Sequence, residues 1–366
     1  MVSILGPYLQ VEASTIAEWT LPTADSRPRH ICVSGGYVYF TEIDGNRIGR
    51  LDPATGIFTE WTIPTPGSNP EGIIASGSYA YFTEYSDSAN KIGRLDPSTG
   101  MFTEWTIPMG NSRPFDIAVS GSYVYFTEVQ GNRIGRLDPA TGVFAEWTIP
   151  TVNYGVYGIA VSGGYVFFTE YNGNNIGRLD PSTGVFTEWT IPTASSGPYG
   201  IAVSGGYVYF TEEQGNKIGR LDPSTGVFTE WTIPTGSSGS YRIAASGSYI
   251  YFTEWWGNKI GRLDPSTGIF TEWTIPTGDS RPFGIAASGS YIYFTEWWGN
   301  NIGLLTVSPV ATTTTSVSKT FSHVTTVSTV STASGIYFST TMVMSSTSST
   351  TSVSVSTTSY TTSISD

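Results

Sequence analysis

Residues 209–234 read "YFTEEQGNKIGRLDPSTGVFTEWTIP", and the stretch is one period of a longer pattern. Its "FTE" glutamate recurs at Glu42, Glu84, Glu128, Glu170, Glu212, Glu254 and Glu296, always 42 residues apart except for one spacing of 44. The two extra residues fall in "EYSDSANKIGR", so that turn is exposed, because loops are where insertions are tolerated. One period holds four short segments, "YGIAVSG", "YVYFTE", "NKIGRLD" and "GVFTEWTIP", each rich in β-branched or aromatic residues and bounded by Gly, Pro or Asn. "DPSTG" supplies a turn between the last two, with Asp and Pro to start it and Gly to accept positive φ; "SGG" or "SGS" joins the first two.

Four strands in 40 to 45 residues is the signature of a propeller blade, so seven copies predict an all-β, seven-bladed β-propeller with four strands per blade. The closure is legible too. "EWT" occurs seven times, from Trp19 to Trp273, but its first copy precedes the first "FTE", and the seventh blade loses the pattern at "GLLTVSP". The segment "IAEWTLP" (16–22) is therefore predicted to be the outermost strand of the last blade, leaving no open seam between the two ends. The expected organisation is a lead at 1–15, the propeller at 16–306 and a tail at 307–366. In that tail 35 of the last 56 residues are Ser or Thr, which reads as an O-glycosylated stalk. The alternation in "SVSVSTTSYTTSIS" instead favours strands that could join a neighbouring subunit into a homo-oligomer or filament.

The net charge of −12, with no clustered Lys or Arg, excludes nucleic acid as a partner. Twenty of the 29 acids are copied in "FTE", "EWT" and "LDP", so the acidity belongs mostly to the scaffold. Cys32 is the lone cysteine and makes no internal disulfide. No run of 18 apolar residues occurs, and "MVSILGPYLQVEAS" lacks a basic n-region and a long apolar core, so no transmembrane segment is expected and the sequence reads either as a mature or trimmed form or as a cytosolic chain. The end of the second strand is expected to return to one mouth of the central channel. Seven glutamates there, Glu42, Glu254 and Glu296 among them, would raise one another's pKa or recruit Mg²⁺ or Ca²⁺. The arginine of "IGR" reads as a strand-end partner for these acids.

The run "PTxSxPxGIA…YFTE…GNKIGRLDPSTGxFTEWTIP" resembles the streptogramin (virginiamycin B) lyase family of seven-bladed propellers, over residues 16 to about 306. That resemblance implies the fold. It also implies elimination at an ester of a cyclic depsipeptide, by a catalytic histidine with Mg²⁺ held near glutamates on one face. In the family the histidine stands in a "P-H-G" word, with a second glutamate two places before it. Here the histidine position holds Arg29, Glu71, Phe115, Tyr157, Tyr199, Tyr241 and Phe283, and the position two earlier holds no carboxylate. His323 lies in the tail. His30 is one place beyond the family position, and a one-residue step along a regular strand reverses the facing, so it reaches the channel only where the strand start is irregular.

The residues that follow "FTE" differ between blades. In blades six and seven they are tryptophan doublets, Trp255 with Trp256 and Trp297 with Trp298, and the adjoining blade one contributes Arg27, Arg29 and His30. With Tyr241, Arg242, Phe283 and Arg281 these predict an aromatic and cationic sector on one face, suited to sugar rings or to a protein hot spot. The bland alternative is that one indole of each doublet packs between blades and the other covers a loop. Three functions follow as expectations: an extracellular or cell-surface propeller that binds a glycan or surface protein without catalysis; a lyase using His30 and Glu296 with a metal; or a structural subunit joined through its tail.

Overall fold

In the computed structural model the described residues are 14–152 and 155–307, together with four backbone strand segments between 315 and 353. Seven four-stranded antiparallel sheets make up the propeller unit, Thr15–Thr306. Blade one runs Pro28–Ser34, Tyr37–Glu42, Arg47–Asp52 and Ile57–Thr62 in spatial order. Blade seven takes its outermost strand from the other end of the sequence: Ser14–Thr20 pairs beside Asn301–Val307, followed by Tyr291–Glu296 and Pro282–Ser288. The expected clasp is thus present, and Leu21 N–H donates to the Asn300 carbonyl at 2.9 Å just beyond it.

The core lies between blades. Tyr39, Ile48 and Ile63 of one side pack with Ile73, Ala80, Phe82 and Leu95 of the next, and Leu21, Ile31, Val38 and Phe40 meet Tyr293 and Ile302 at the closure. Within a blade, the phenylalanine of "FTE" lies opposite the glycine of "IGR", Phe40 against Gly49, and a Cβ on Gly49 would collide with that ring. The arginine of "IGR" stands between two aromatic rings, a contact that the strand-end reading did not include. Arg50 stands 4.6 Å over the Tyr37 ring and 5.3 Å over the Trp61 ring, and the sandwich recurs in six blades. In blade seven the position is Leu304, packed in the cluster that holds Trp19.

Two further sets of contacts tie each blade to the next. The asparagine of the "GN" turn is left-handed (Asn46, φ 53°); its amide donates to Ile63 and Thr65 carbonyls at 3.2 and 3.0 Å, and its oxygen accepts from Ser68 N–H and Oγ. Asn300 makes the same bonds to Thr23 and Ser26, across the closure. At the start of each innermost strand an extra residue breaks the register, between Pro28 and Ile31 in blade one. The freed His30 N–H donates to Thr41 Oγ1 at 3.1 Å, and that hydroxyl donates to the Glu71 carbonyl of blade two at 2.8 Å. Each blade repeats the bridge, and Thr295 to the Arg29 carbonyl completes the circle.

The second unit comprises 1–14 and 307–366. Within it Thr315–Phe321 pairs with Ser346–Val353, and Val327–Thr332 with Gly335–Thr340, both antiparallel. His323, and most of the alternating stretch at 352–365, lie outside the described residues.

Replacing Thr169 by the isosteric valine leaves the Gly158 N–H and the Tyr199 carbonyl, both buried, without their partner. A loss of about 1–3 kcal/mol is expected in denaturant unfolding. An unchanged midpoint would mean that the blades cohere without these hydroxyls.

Candidate functional site

The bulge decides what faces the axis. It inserts one residue, so two consecutive side chains of each inner strand project near the channel mouth. The first set is the former histidine position, Arg29 through Phe283. The second is His30, Gly72, Asp116, Gly158, Gly200, Arg242 and Gly284. At Gly72 a Cβ would stand 2.7 Å from the Phe115 carbonyl of the next blade, so most blades keep glycine there. Blades one, three and six do not.

Their side chains meet across the axis. Arg242 Nη1 lies 2.7 Å from Asp116 Oδ2, and Arg242 Nη2 hydrogen-bonds His30 Nε2. His30 Nδ1 faces Asp116 Oδ1 at 3.6 Å, and Arg29 Nε donates to Glu71 Oε2 at 3.1 Å. Burial, reinforced by the Arg242 charge, pushes the His30 pKa down to about 3, so the imidazole is neutral at ordinary pH. Burial alone would raise the Asp116 carboxyl, but Arg242 and His30 overcome it and hold it well below the usual range. The irregular strand start therefore does bring His30 to the axis. Its Nε2, however, is bound to a guanidinium, and a nitrogen so engaged offers no lone pair to a substrate proton.

Above this ionic plug sits a pocket of about 360 Å³. Five predicted site residues line it: Arg29, Tyr241, Trp255, Phe283 and Trp297. Trp255 and Trp297 lie 5.0 Å apart with their rings tilted, and Arg29 stands 3.8 Å over the Phe283 ring. The other indoles face outward: Trp256 is 59% and Trp298 55% exposed, with Arg281 between them at 4.1 and 4.7 Å. Each doublet thus divides into one pocket wall and one exposed ring.

The sector is wider than the sequence suggested. Tyr157, Tyr171 and Tyr199 from blades four and five complete the wall, with Tyr157 and Tyr199 stacked at 4.6 Å. The signal was present, since five of the seven histidine-position residues are aromatic. The pairing of Asp116 with Arg242 and of Glu71 with Arg29 was not foreseen, because it appears only once the strands are placed around the axis.

The glutamates require a correction. All seven are at most 2% exposed and do not rim the channel. Each is tucked beneath the turn that follows it, with the position of a Gly45 Cβ only 3.0 Å from Glu42 Oε2. The neighbouring carboxylate lies outward in the same sheet: Glu60 for Glu42, Glu272 for Glu254, and Glu18 for Glu296. Burial first, with that second carboxylate, pushes Glu42 and Glu296 up to about 8 and Glu254 up to about 7. An uncharged, sealed acid is a poor ligand for a hard cation. Among the described residues no group of three or more His, Cys, Asp or Glu is placed to hold a metal, so the residues present do not fit the expected Mg²⁺ or Ca²⁺. The outer glutamates hold linkers instead, as Glu60 does in accepting from Thr23 N–H and Oγ1.

The virginiamycin B lyase family model matches residues 10–123 and 119–329. The solved virginiamycin B lyase of Staphylococcus aureus, in selenomethionine form, is 36% identical, with a TM-score of 0.75 over 81% of this chain and 100% of that one. A streptogramin B lyase is 34% identical, with a TM-score of 0.75 over 81% and 98%. A catalytically inactive histidine-to-alanine variant of the S. aureus enzyme with quinupristin is 36% identical, with a TM-score of 0.76 over 81% and 100%. A comparison with curated proteins finds no significant match.

The raised carboxyls fix a pH dependence. A group with a folded pKa near 8 and an unfolded value of 4.5 stabilises the fold fully below 4.5, and that contribution is lost as pH rises through 8. The melting temperature should therefore fall between about pH 5 and pH 9, and Glu128→Gln should flatten the slope. A flat profile in the unaltered protein would contradict the assignment.

Proposed function

This chain belongs to the virginiamycin B lyase family, and from that premise we propose that it is a non-catalytic member, one that binds a carbohydrate in the aromatic pocket. The observation that carries this reading is the bond from Arg242 to His30 Nε2, which occupies the one imidazole near the site among the described residues. Elimination at an ester needs a base that can take a proton near neutral pH. His30 is neutral but engaged, and the "FTE" acids are sealed from solvent.

What the pocket does offer is ring faces and polar edges. Trp255, Trp297 and Phe283 present apolar planes, while Tyr157, Tyr199 and Tyr241 bring hydroxyls and Arg29 a guanidinium. A pyranose has one face of C–H groups and a belt of hydroxyls, so it suits such a surface, and a volume of about 360 Å³ holds a short segment. A cyclic depsipeptide is a second ligand class, favoured by the relative described with quinupristin. The Ser/Thr-rich tract at the C-terminal end supports display outside the cell, on a glycosylated stalk.

Titration of short glycans into the full chain checks the reading. Trp297→Ala is expected to weaken binding at least tenfold, the loss of about 1.4 kcal/mol of ring contact. A cyclic depsipeptide ester should stay intact with or without divalent metal. Metal-dependent opening that disappears in Glu296→Gln would return the protein to the enzymes. For the stalk, the intact mass of the native protein should exceed that of the bare chain, and a mass equal to it counts against glycosylation.

A further inference from the structure

The polar groups that face the pocket are unevenly matched. Arg29 commits its Nε to Glu71, while its remaining guanidinium edge lies beside the Tyr199 hydroxyl in the pocket wall. Trp297 lines the same wall, and its buried Nε1–H meets no acceptor. A buried donor without an acceptor is costly, and the Arg29 guanidinium keeps N–H groups beyond those engaged with Glu71 and Tyr199 for an oxygen brought from outside.

The rim repeats the bias. Arg27 stands 4.9 Å over Trp297, and Arg281 is clasped between Trp256 and Trp298, with its buried Nη1 lacking a hydrogen-bond partner. Both arginines adopt left-handed backbone, φ 53° and 56°, where blades five and six use Gly197 and Gly239. That conformation costs a side-chain-bearing residue roughly 1–2 kcal/mol. The same conformation recurs at Asn69 and Arg113, so it belongs to the blade frame and not to this sector alone. Both rim arginines have an acid at hand, Asp44 for Arg27 and Asp279 for Arg281, whereas no acid lines the pocket itself.

From these observations we infer that the ligand carries a carboxylate, an acidic sugar of the hexuronate type, whose carboxyl group sits on the pocket side of the Arg29 guanidinium while its ring lies against the Trp255–Trp297 wall. The planar guanidinium fork accepts a carboxylate through two parallel hydrogen bonds, an arrangement that a neutral hydroxyl cannot reproduce. The net charge of −12 does not forbid this, because exposed charges more than about 8 Å away are screened at physiological ionic strength. This inference rests on the carbohydrate reading of the same pocket.

Calorimetric titration of the full chain with trigalacturonate and trimannuronate, each as free acid and as methyl ester, separates the two. The acid form of at least one should bind on the order of tenfold more tightly than its ester, since only the acid offers a charged carboxylate to the guanidinium. Arg29→Lys, which keeps the charge but loses the fork, should erase most of that preference while ester binding persists. Trp297→Phe should weaken acid and ester alike. Equal affinity for acid and ester would overturn the carboxylate and leave carbohydrate binding standing. Absence of binding by every form would overturn both. The comparison of acid with ester needs no variant, so a failure of Arg29→Lys to fold does not blunt it.

Discussion

Seven separate sheets share no backbone ladder, so something else must hold their inner edges together, and here it is a threonine hydroxyl. Each "FTE" threonine accepts the N–H freed by its own bulge and donates to a carbonyl on the next blade. The bulge and the bridge depend on each other. A regular strand would have no spare N–H to give, and a bulge without the hydroxyl would leave buried polar groups unpaired. Because seven repeats close the circle, the last bond, from Thr295 to Arg29, is also the one that fixes the two ends of the propeller to each other at the axis.

The same device makes a variable surface out of a constant frame. A bulge turns two successive residues toward the mouth, and neither is needed for the bridge, which uses only backbone atoms and the threonine. Side chains vary freely at the first position, whereas the second holds glycine in four blades because a Cβ there meets the next blade's carbonyl. Blades four, five and six place tyrosine at the first position, while blades one, three and six carry His30, Asp116 and Arg242 at the second. Pocket wall and ionic plug thus come from neighbouring positions in sequence but from different choices in different blades.

The blade count, the four strands and the N-terminal clasp were legible because they rest on local signals: a period of 42, turn residues at fixed offsets, and one "EWT" too early. The tryptophan sector was legible for the same reason, as a departure from copied positions. What the pattern hid was facing. The threonine of "FTE" looks like any strand threonine, so the bulge it supports could not be placed, and His30 was expected to turn away from the channel unless the strand start was irregular. The glutamates were misplaced at the mouth by a related limit. Nothing in "YFTEEQGN" says whether the acid points to the axis or beneath its own turn, and that choice is set by Gly45 and Ser26 packing from outside the strand. The "IGR" arginines likewise found ring faces, as Arg50 does at Tyr37 and Trp61, which the strand-end reading had not included.

The ionic plug bears on how the pocket keeps its shape. Arg242 and Asp116 are both nearly buried, and a buried pair of this kind seldom stabilises a fold more than apolar residues of the same volume would. Its effect is positional. Asp116 also accepts from the Ile117 and Ile159 N–H groups, so the carboxylate is fixed by two blades before Arg242 reaches it from a third. Arg242 in turn holds His30, and His30 packs edge-on to Phe115 and at a tilt to Phe283, the ring beneath Arg29. The guanidinium that lines the pocket is therefore supported from below by a chain of contacts reaching four other blades. A base that had to move a proton would be poorly served by such a lattice, whereas a donor that must wait in one orientation for a ligand is well served by it.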